Sequence, residues 1–240
     1  MDGDGLTSQI SHLKSKYYVI IVAGGSGTRM KSAVPKQFLL LNGVPVLMHT
    51  INAFYNSNTR PEIIVVLHPD SHEYWNDLCV EHNYTIPHQL ANGGETRFHS
   101  VKNGLSLIGD NDAVVAVHDA VRPLVTQIII DESFDCAEQY GNAIVAIKSR
   151  DSVRQIRDNR SQSLNRDEIY LIQTPQTFRA GQLKQAYLQP YLEKFTDDAS
   201  VVEQTGVNIN LVNGSYQNIK ITYPEDIAIA EFLLRKADNQ

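Results

Sequence analysis

The chain has 240 residues, 42% of them hydrophobic and 20% charged, enough apolar material for one domain with a sizeable buried core. Its formal net charge of −6, from 21 basic and 27 acidic side chains, argues against a general nucleic-acid binder, so an anionic ligand would need a local cluster of cations. No apolar run approaches the ~18 residues of a membrane helix, and Cys79 and Cys136 form no CxxC pair, which points to reduced thiols in a cytoplasmic protein and away from a disulfide or zinc site.

Residues 1–16, "MDGDGLTSQISHLKSK", are polar and lack the apolar stretch of a secretory leader, so they are expected to form a flexible extension, with one domain over 17–240. "YYVIIV" (17–22), "EIIVVLH" (62–68), "AVVAVH" (113–118) and "AIVAIK" (143–148) are near-continuous hydrophobic runs, the pattern of strands covered on both faces. Helices are expected between them at 45–55 with Pro45 at the start, at 71–82 and 95–107, and at 126–140 with Thr126 as N-cap. This alternation predicts an α/β fold, an open, mostly parallel Rossmann-like sheet with helices on both faces.

The rhythm then breaks. Two strand-like runs, 151–158 and 168–178, flank the polar turn "NRSQSLN" with no helix between them. They predict a β-hairpin arm over about 150–172. An arm with little core of its own implies a partner, here a homodimer. Helices at 180–193 and 198–205, strands at 208–212 and 218–222 ("NIKIT"), and a last helix opened by "PED" (224–226) complete the expected order.

The stretch "VAGGSGTRMKSAVPKQF" (22–38) follows the first strand, at the carboxyl edge where open α/β sheets bind ligands. Glycines there allow close approach of backbone N–H groups to phosphate, although a simple turn would use them too. Met30 stands where a Walker A loop or a GxGxxG fingerprint requires glycine. What remains is a glycine loop with Arg29 and Lys36. Two cations beside a phosphate cradle suit departure of pyrophosphate, where negative charge grows on the leaving group.

"AGGSGTRM" and "PKQF" resemble the signature of sugar-phosphate nucleotidyltransferases. "GGETRFHSV" (93–101), "HDAVRP" (118–123), "TPQTF" (174–178), "TDDAS" (196–200) and "NIKIT" are similar, in order over about 17–236, to one branch, the 2-C-methyl-D-erythritol 4-phosphate cytidylyltransferases of non-mevalonate isoprenoid synthesis. The resemblance implies transfer of CMP from CTP to a sugar-alcohol phosphate with Mg²⁺ as cofactor. A related branch uses ribitol 5-phosphate and tends to "GGxDRNET" where this chain has "GGETRFHSV", which favours the methylerythritol acceptor.

From the residues alone, Asp119 could hold Mg²⁺ at the carboxyl edge or cap the next turn; the resemblance implies the metal role. It also implies Ala23, Gly24, Gly25, Gly27, Gly94, Arg97, Ser100, Asp119 and Ala120 as nucleotide contacts, and Arg29, Lys36 and Lys220 as catalytic cations. Arg122, Arg166, Thr196 and Lys220 are implied on the substrate side, with the arm residues able to serve a partner's site. An arginine, a lysine and a hydroxyl form a suitable set for a phosphomonoester dianion. Some family members carry an acid just before "NIK", where this chain has "SYQ" (215–217); Asp119 would then act with fewer protein ligands and more water around the metal.

Other patterns read as structure. His118 is expected to be packed and not a base, Asp197 and Asp198 to cap a helix, and "DND" (110–112) to be a turn at the wrong end of its strand. His68 and His72 have metal-ligand spacing but fall on different elements. Ser26 and Thr28 lack a nearby His–Asp arrangement for covalent chemistry.

Overall fold

The structure, a computed structural model, describes residues 16–23 and 34–237. Its main sheet has the order β11-β7-β10-β6-β1-β4-β5. The strands are β1 (Tyr17–Ala23), β4 (Glu62–Leu67), β5 (Gln89–Asn92), β6 (Val114–Asp119), β7 (Asn142–Lys148), β10 (Tyr170–Arg179) and β11 (Leu211–Asn213). All neighbouring pairs run parallel except those of β10, which is antiparallel to both β6 and β7. This is the open, mostly parallel α/β sheet that the alternating pattern predicts.

Alternation along each strand feeds two cores. Val19, Ile21, Ile63, Val65, Leu67, Val114 and Ala116 face α1 (Val46–Tyr55), α2 (His72–Glu81) and α4 (Gln127–Tyr140), where Met48, Phe54, Trp75 and Phe134 pack. Tyr18, Ile20, Ile64, Val66, Val115 and Val117 face α3 (Arg97–Leu105), α5 (Ala180–Ala186) and α6 (Asp198–Glu203), with Phe98, Leu183, Tyr187 and Val202. Successive side chains of a strand point to opposite faces, so covering both faces demands the unbroken apolar runs seen in the sequence. A third cluster joins Leu41, Val46, Val121 and Ile221 to α7 (Glu225–Ala237) through Ala230. Leu41 lies in the small hairpin of β2 (Leu40–Leu41) and β3 (Val44–Pro45).

Several expected boundaries change. The arm is a tighter hairpin than the turn "NRSQSLN" implies: β8 (Arg154–Arg157) pairs with β9 (Arg160–Ser163) across Asp158 and Asn159, both at positive φ, 49° and 59°. Asp and Asn tolerate that left-handed backbone and make the two-residue turn possible. The run at 168–178 does not pair with 151–158; as β10 it enters the main sheet. Helix α5 stops before Pro190, short of the expected 193, because proline disfavours helical backbone in the residue before it. There the Gln189 amide donates to the Ala186 carbonyl (2.8 Å). "NIKIT" belongs to no strand, and β11 starts at Leu211, three residues later than expected. The proposed extension falls almost wholly outside the described residues; Lys16 pairs with Glu62 (2.9 Å).

Candidate active site

β1, β4 and β6 end side by side at one edge of the sheet, at Ala23, Leu67 and Asp119. The glycine loop, with Gly24, Gly25, Gly27 and Arg29, lies outside the described residues. On its near side Ala23 is buried, and its carbonyl accepts the Gln37 side-chain amide at 3.1 Å. On its far side Lys36–Phe38 form a short 3₁₀ turn anchored by Phe38, which is stacked on Trp75 at 6.2 Å.

Every residue of β6 is buried, and Asp119 closes the strand at 8% exposure. Its Oδ2 lies 2.9 Å from Lys220 Nζ and 3.3 Å from Arg122 Nε, and its Oδ1 lies 3.7 Å from Arg97 Nε. Burial alone would push the carboxyl pKa up. Lys220, Arg97 and Arg122 outweigh that and hold it well below the usual carboxylate range.

Buried hydrogen bonds brace this turn. The Asp119 N–H donates to Thr174 Oγ1 (3.1 Å), which faces His118 Nδ1 (3.0 Å), while His118 Nε2 faces the Arg122 carbonyl (3.2 Å). One tautomer satisfies all three: Thr174 donates to Nδ1, and Nε2–H donates to Arg122. Burial lowers the His118 pKa to about 3, so the ring is a neutral strut, packed edge-on against Phe54. The Arg122 guanidinium also donates to the Asn218 carbonyl (2.7 Å).

Lys220 is aimed by its neighbours. Ile219 and Ile221, on either side of it, pack into the α7 cluster, and Lys220 turns to Asp119. Lys36 Nζ donates to the Ile221 carbonyl (3.4 Å), so both expected catalytic lysines meet the same segment.

Arg97 opens α3, whose N-cap Thr96 accepts the His99 N–H. The Gly94 N–H donates to Ser100 Oγ, which in turn donates to the Thr96 carbonyl, both at 3.0 Å. A Cβ on Gly94 would stand 2.4 Å from that of His99, so only glycine fits the loop as built. Ser100 is buried and its hydroxyl shapes this loop. Ala120 is likewise buried, donating to Val22 (3.1 Å) and accepting from Thr50 (2.8 Å).

Arg166 and Thr196 stand apart from this cluster. Arg166 is exposed at the root of the arm and donates to the Arg150 carbonyl (3.4 Å), and Thr196 is exposed just before α6. No hydrogen bond or ion pair joins either of them to Asp119, Arg97, Arg122 or Lys220.

Sequence reasoning missed four supports. Asp198 is fully buried and pairs with Arg97 (2.7 Å), in addition to opening a helix; its neighbour Asp197 is the cap, as expected. Thr174 holds Asp119, Gln37 holds Ala23, and Gln176 holds Asp197 and the Ala199 N–H (3.0 and 2.8 Å). The only signal was their place inside "TDDAS", "TPQTF" and "PKQF".

Among the described residues no group of three His, Cys, Asp or Glu side chains could hold a metal ion. His68 caps a turn and His72 faces the Leu67 carbonyl, so they share no ligand site. Asp110 accepts the Asp112 N–H (2.8 Å) in a turn, as "DND" suggested. Asp119 is thus a lone carboxylate, which fits a Mg²⁺ that keeps waters and phosphate oxygens as its other ligands, and not a protein cage.

A family model described as 2-C-methyl-D-erythritol 4-phosphate cytidylyltransferase matches residues 17–236. The protein of that name from Bacteroides thetaiotaomicron is 48% identical over 219 residues, covering 91% of this chain and 100% of its own length. Its counterpart from Azobacteroides pseudotrichonymphae is 49% identical over 223 residues, covering 92% and 100%. Among solved structures, 4-diphosphocytidyl-2C-methyl-D-erythritol synthase from Anaerococcus prevotii is similar with a TM-score of 0.79 and 30% identity, over 92% of this chain and 96% of that one. The cytidylyltransferase from Francisella tularensis has a TM-score of 0.76 and 35% identity, over 91% and 99%.

Proposed function

The chain belongs to the 2-C-methyl-D-erythritol 4-phosphate cytidylyltransferase family, and on that premise we propose that it transfers CMP from CTP to 2-C-methyl-D-erythritol 4-phosphate. The products are 4-diphosphocytidyl-2-C-methyl-D-erythritol and pyrophosphate. The observation that carries this reading is the Asp119 carboxylate set among Lys220, Arg122 and Arg97 at the carboxyl edge of the sheet. In a chain of net charge −6, it gathers the cations that two phosphorylated substrates require.

An oxygen of the acceptor phosphate attacks the α-phosphorus of CTP in line, and the bond from that phosphorus to the bridging oxygen breaks. The electron pair leaves with pyrophosphate. A phosphomonoester is already ionised near neutral pH, so no general base is needed, and catalysis is positioning with charge neutralisation. Lys36, with Arg29 from the glycine loop, stabilises the bridging and leaving oxygens. Lys220, Thr196 and Arg166 hold the attacking phosphate, and Arg122 fixes the Asp119 turn. Gly94 and Arg97 receive the nucleoside side, with Ser100 shaping their loop, and Ala23, Gly24, Gly25 and Gly27 are assigned to the phosphates, while buried Ala120, bound to Val22 and Thr50, supports that edge from behind. Asp119 would hold Mg²⁺, which when bound neutralises triphosphate charge.

The position of Arg166 supports a homodimer in which the arm reaches the partner's acceptor site. Ile156, Tyr170, Leu171 and Ile172 present exposed apolar surface on and beside the arm, where a second copy would cover it. No helix among the described residues is long and apolar enough to cross a membrane, and CTP as substrate supports a cytoplasmic enzyme.

The test incubates the purified protein with CTP, Mg²⁺ and either methylerythritol 4-phosphate or ribitol 5-phosphate and follows pyrophosphate. Release with methylerythritol phosphate alone is expected; release with ribitol phosphate alone moves the acceptor to the related branch, and silence with both overturns the reading.

A further inference from the structure

The mechanism above leaves one buried anion unused. Asp198 has no exposed surface, and both its oxygens are matched by donors: Oδ2 accepts from an Arg97 terminal nitrogen (2.7 Å), and Oδ1 accepts from the Tyr187 hydroxyl (2.6 Å). A buried carboxylate persists where its oxygens are matched by donors, and here one donor comes from the candidate site. The Nε of the same guanidinium lies 3.7 Å from Asp119 Oδ1. Two carboxylates on two nitrogens of one planar fork fix its direction, because its N–H donors lie in a rigid plane.

The support behind Asp198 is itself tied to the sheet. Gln176 of β10 donates to Asp197 and accepts from the Ala199 N–H, gripping both neighbours of Asp198. Two residues earlier on the same strand, Thr174 accepts the Asp119 N–H. One strand therefore sets both carboxylates that flank Arg97. Phe98, next to Arg97, stacks on Tyr187 at a ring separation of 4.5 Å, so the residue behind Asp198 also packs against the start of α3.

From this geometry we infer that Asp198, backed by Tyr187, is a positioning residue that aims Arg97 at the nucleotide. The inference rests on the cytidylyltransferase reading and adds a residue to it. Asp198 touches no substrate and acts only through Arg97, which is 29% exposed at the site.

The experiment is a double-mutant cycle on the full chain with D198N, R97Q and the double variant. It reads the CTP dissociation constant by calorimetry and the KM for CTP and for methylerythritol 4-phosphate by pyrophosphate release. A misaimed group near the reacting centre costs up to ~100-fold, so D198N is expected to weaken CTP binding at least ~10-fold while leaving the acceptor KM unchanged. In the R97Q background the same change is expected to add less than about twofold, because the interaction it removes is already gone. Y187F removes one donor to Asp198 and leaves the Arg97 pair; a smaller loss in the same direction is expected from it. D198E, which retains the charge, is expected to recover most of the loss. Equal losses in both backgrounds, or unchanged CTP binding in D198N and Y187F, overturn the inference while wild-type turnover stands. Wild-type protein that neither binds nor turns over CTP overturns the proposed function first.

Discussion

Lys220 Nζ and Asp119 Oδ2 lie 2.9 Å apart although 101 residues separate them in the chain, and the same carboxylate also faces Arg122 and Arg97. The two partners differ in setting. Asp119 has 11% of its side chain exposed and Lys220 38%, so removing one is not equivalent to removing the other. Asp119→Asn leaves three cations around a neutral amide and is expected to lower unfolding stability by about 3 kcal/mol. Lys220→Met leaves the carboxylate two cations and is expected to change stability by less than ~1 kcal/mol while lowering kcat ~100-fold. Urea unfolding beside pyrophosphate release measures both; equal stability losses would show that the cluster does not divide in this way.

Lys36 is held at the same segment through the Ile221 carbonyl. Lys36→Ala is expected to lower kcat by at least ~100-fold with the fold intact, the scale of one strong transition-state contact. A near-normal kcat with an unchanged circular-dichroism spectrum would remove Lys36 from the mechanism.

Gly94 has no room for a side chain, since its Cβ would meet His99 at 2.4 Å. Gly94→Ala must displace the loop that leads into Arg97. The expected result is a KM for CTP raised at least ~10-fold, against a thermal midpoint that moves little. An unchanged KM would mean that the loop does not approach the nucleotide.

Tyr17 supplies a pH-dependent test away from the site. Burial, with its hydrogen bond to Glu138 (2.9 Å), raises its pKa from the ordinary 10.0 to about 12. The unfolded chain therefore releases this proton at lower pH than the folded one. Its contribution is complete below pH 10 and is lost as the pH rises from about 10 to 12. Tyr17→Phe is expected to flatten the alkaline decline of stability over that window, measured as urea midpoints at several pH values; parallel declines would refute the assignment.

The residues that were readable in the chain are those whose role is local or periodic. Thr126 caps α4 with its own side chain, accepting the Ile129 N–H, and the turn at 110–112 closes on itself. β10 is legible as a strand at 168–178 but not as a member of the main sheet, because Gln173, Thr174, Gln176 and Thr177 are all buried. Their amides and hydroxyls meet Ser215, Asp119, Asp197 and Ser133, so the strand is polar where an apolar run would be expected. "NIKIT" misled for the opposite reason: its alternation is real, but Ile219 and Ile221 pack against the α7 cluster without joining a sheet.

By itself the sequence determined β1, β4, β6 and β7, the α/β alternation around them, and the family. These follow from burial on both faces, which needs continuous apolar runs, and from ordered motifs that survive in one dimension. Only the tertiary structure decided that β10 runs antiparallel through the sheet's middle, that Asp119 collects three cations, and that Asp198 stands behind Arg97. Apart from Arg122, three residues from Asp119, these contacts join groups far apart in the chain, where a charge or amide is stabilised by whichever partner the fold brings to it, and spacing along the chain carries no record of that partner.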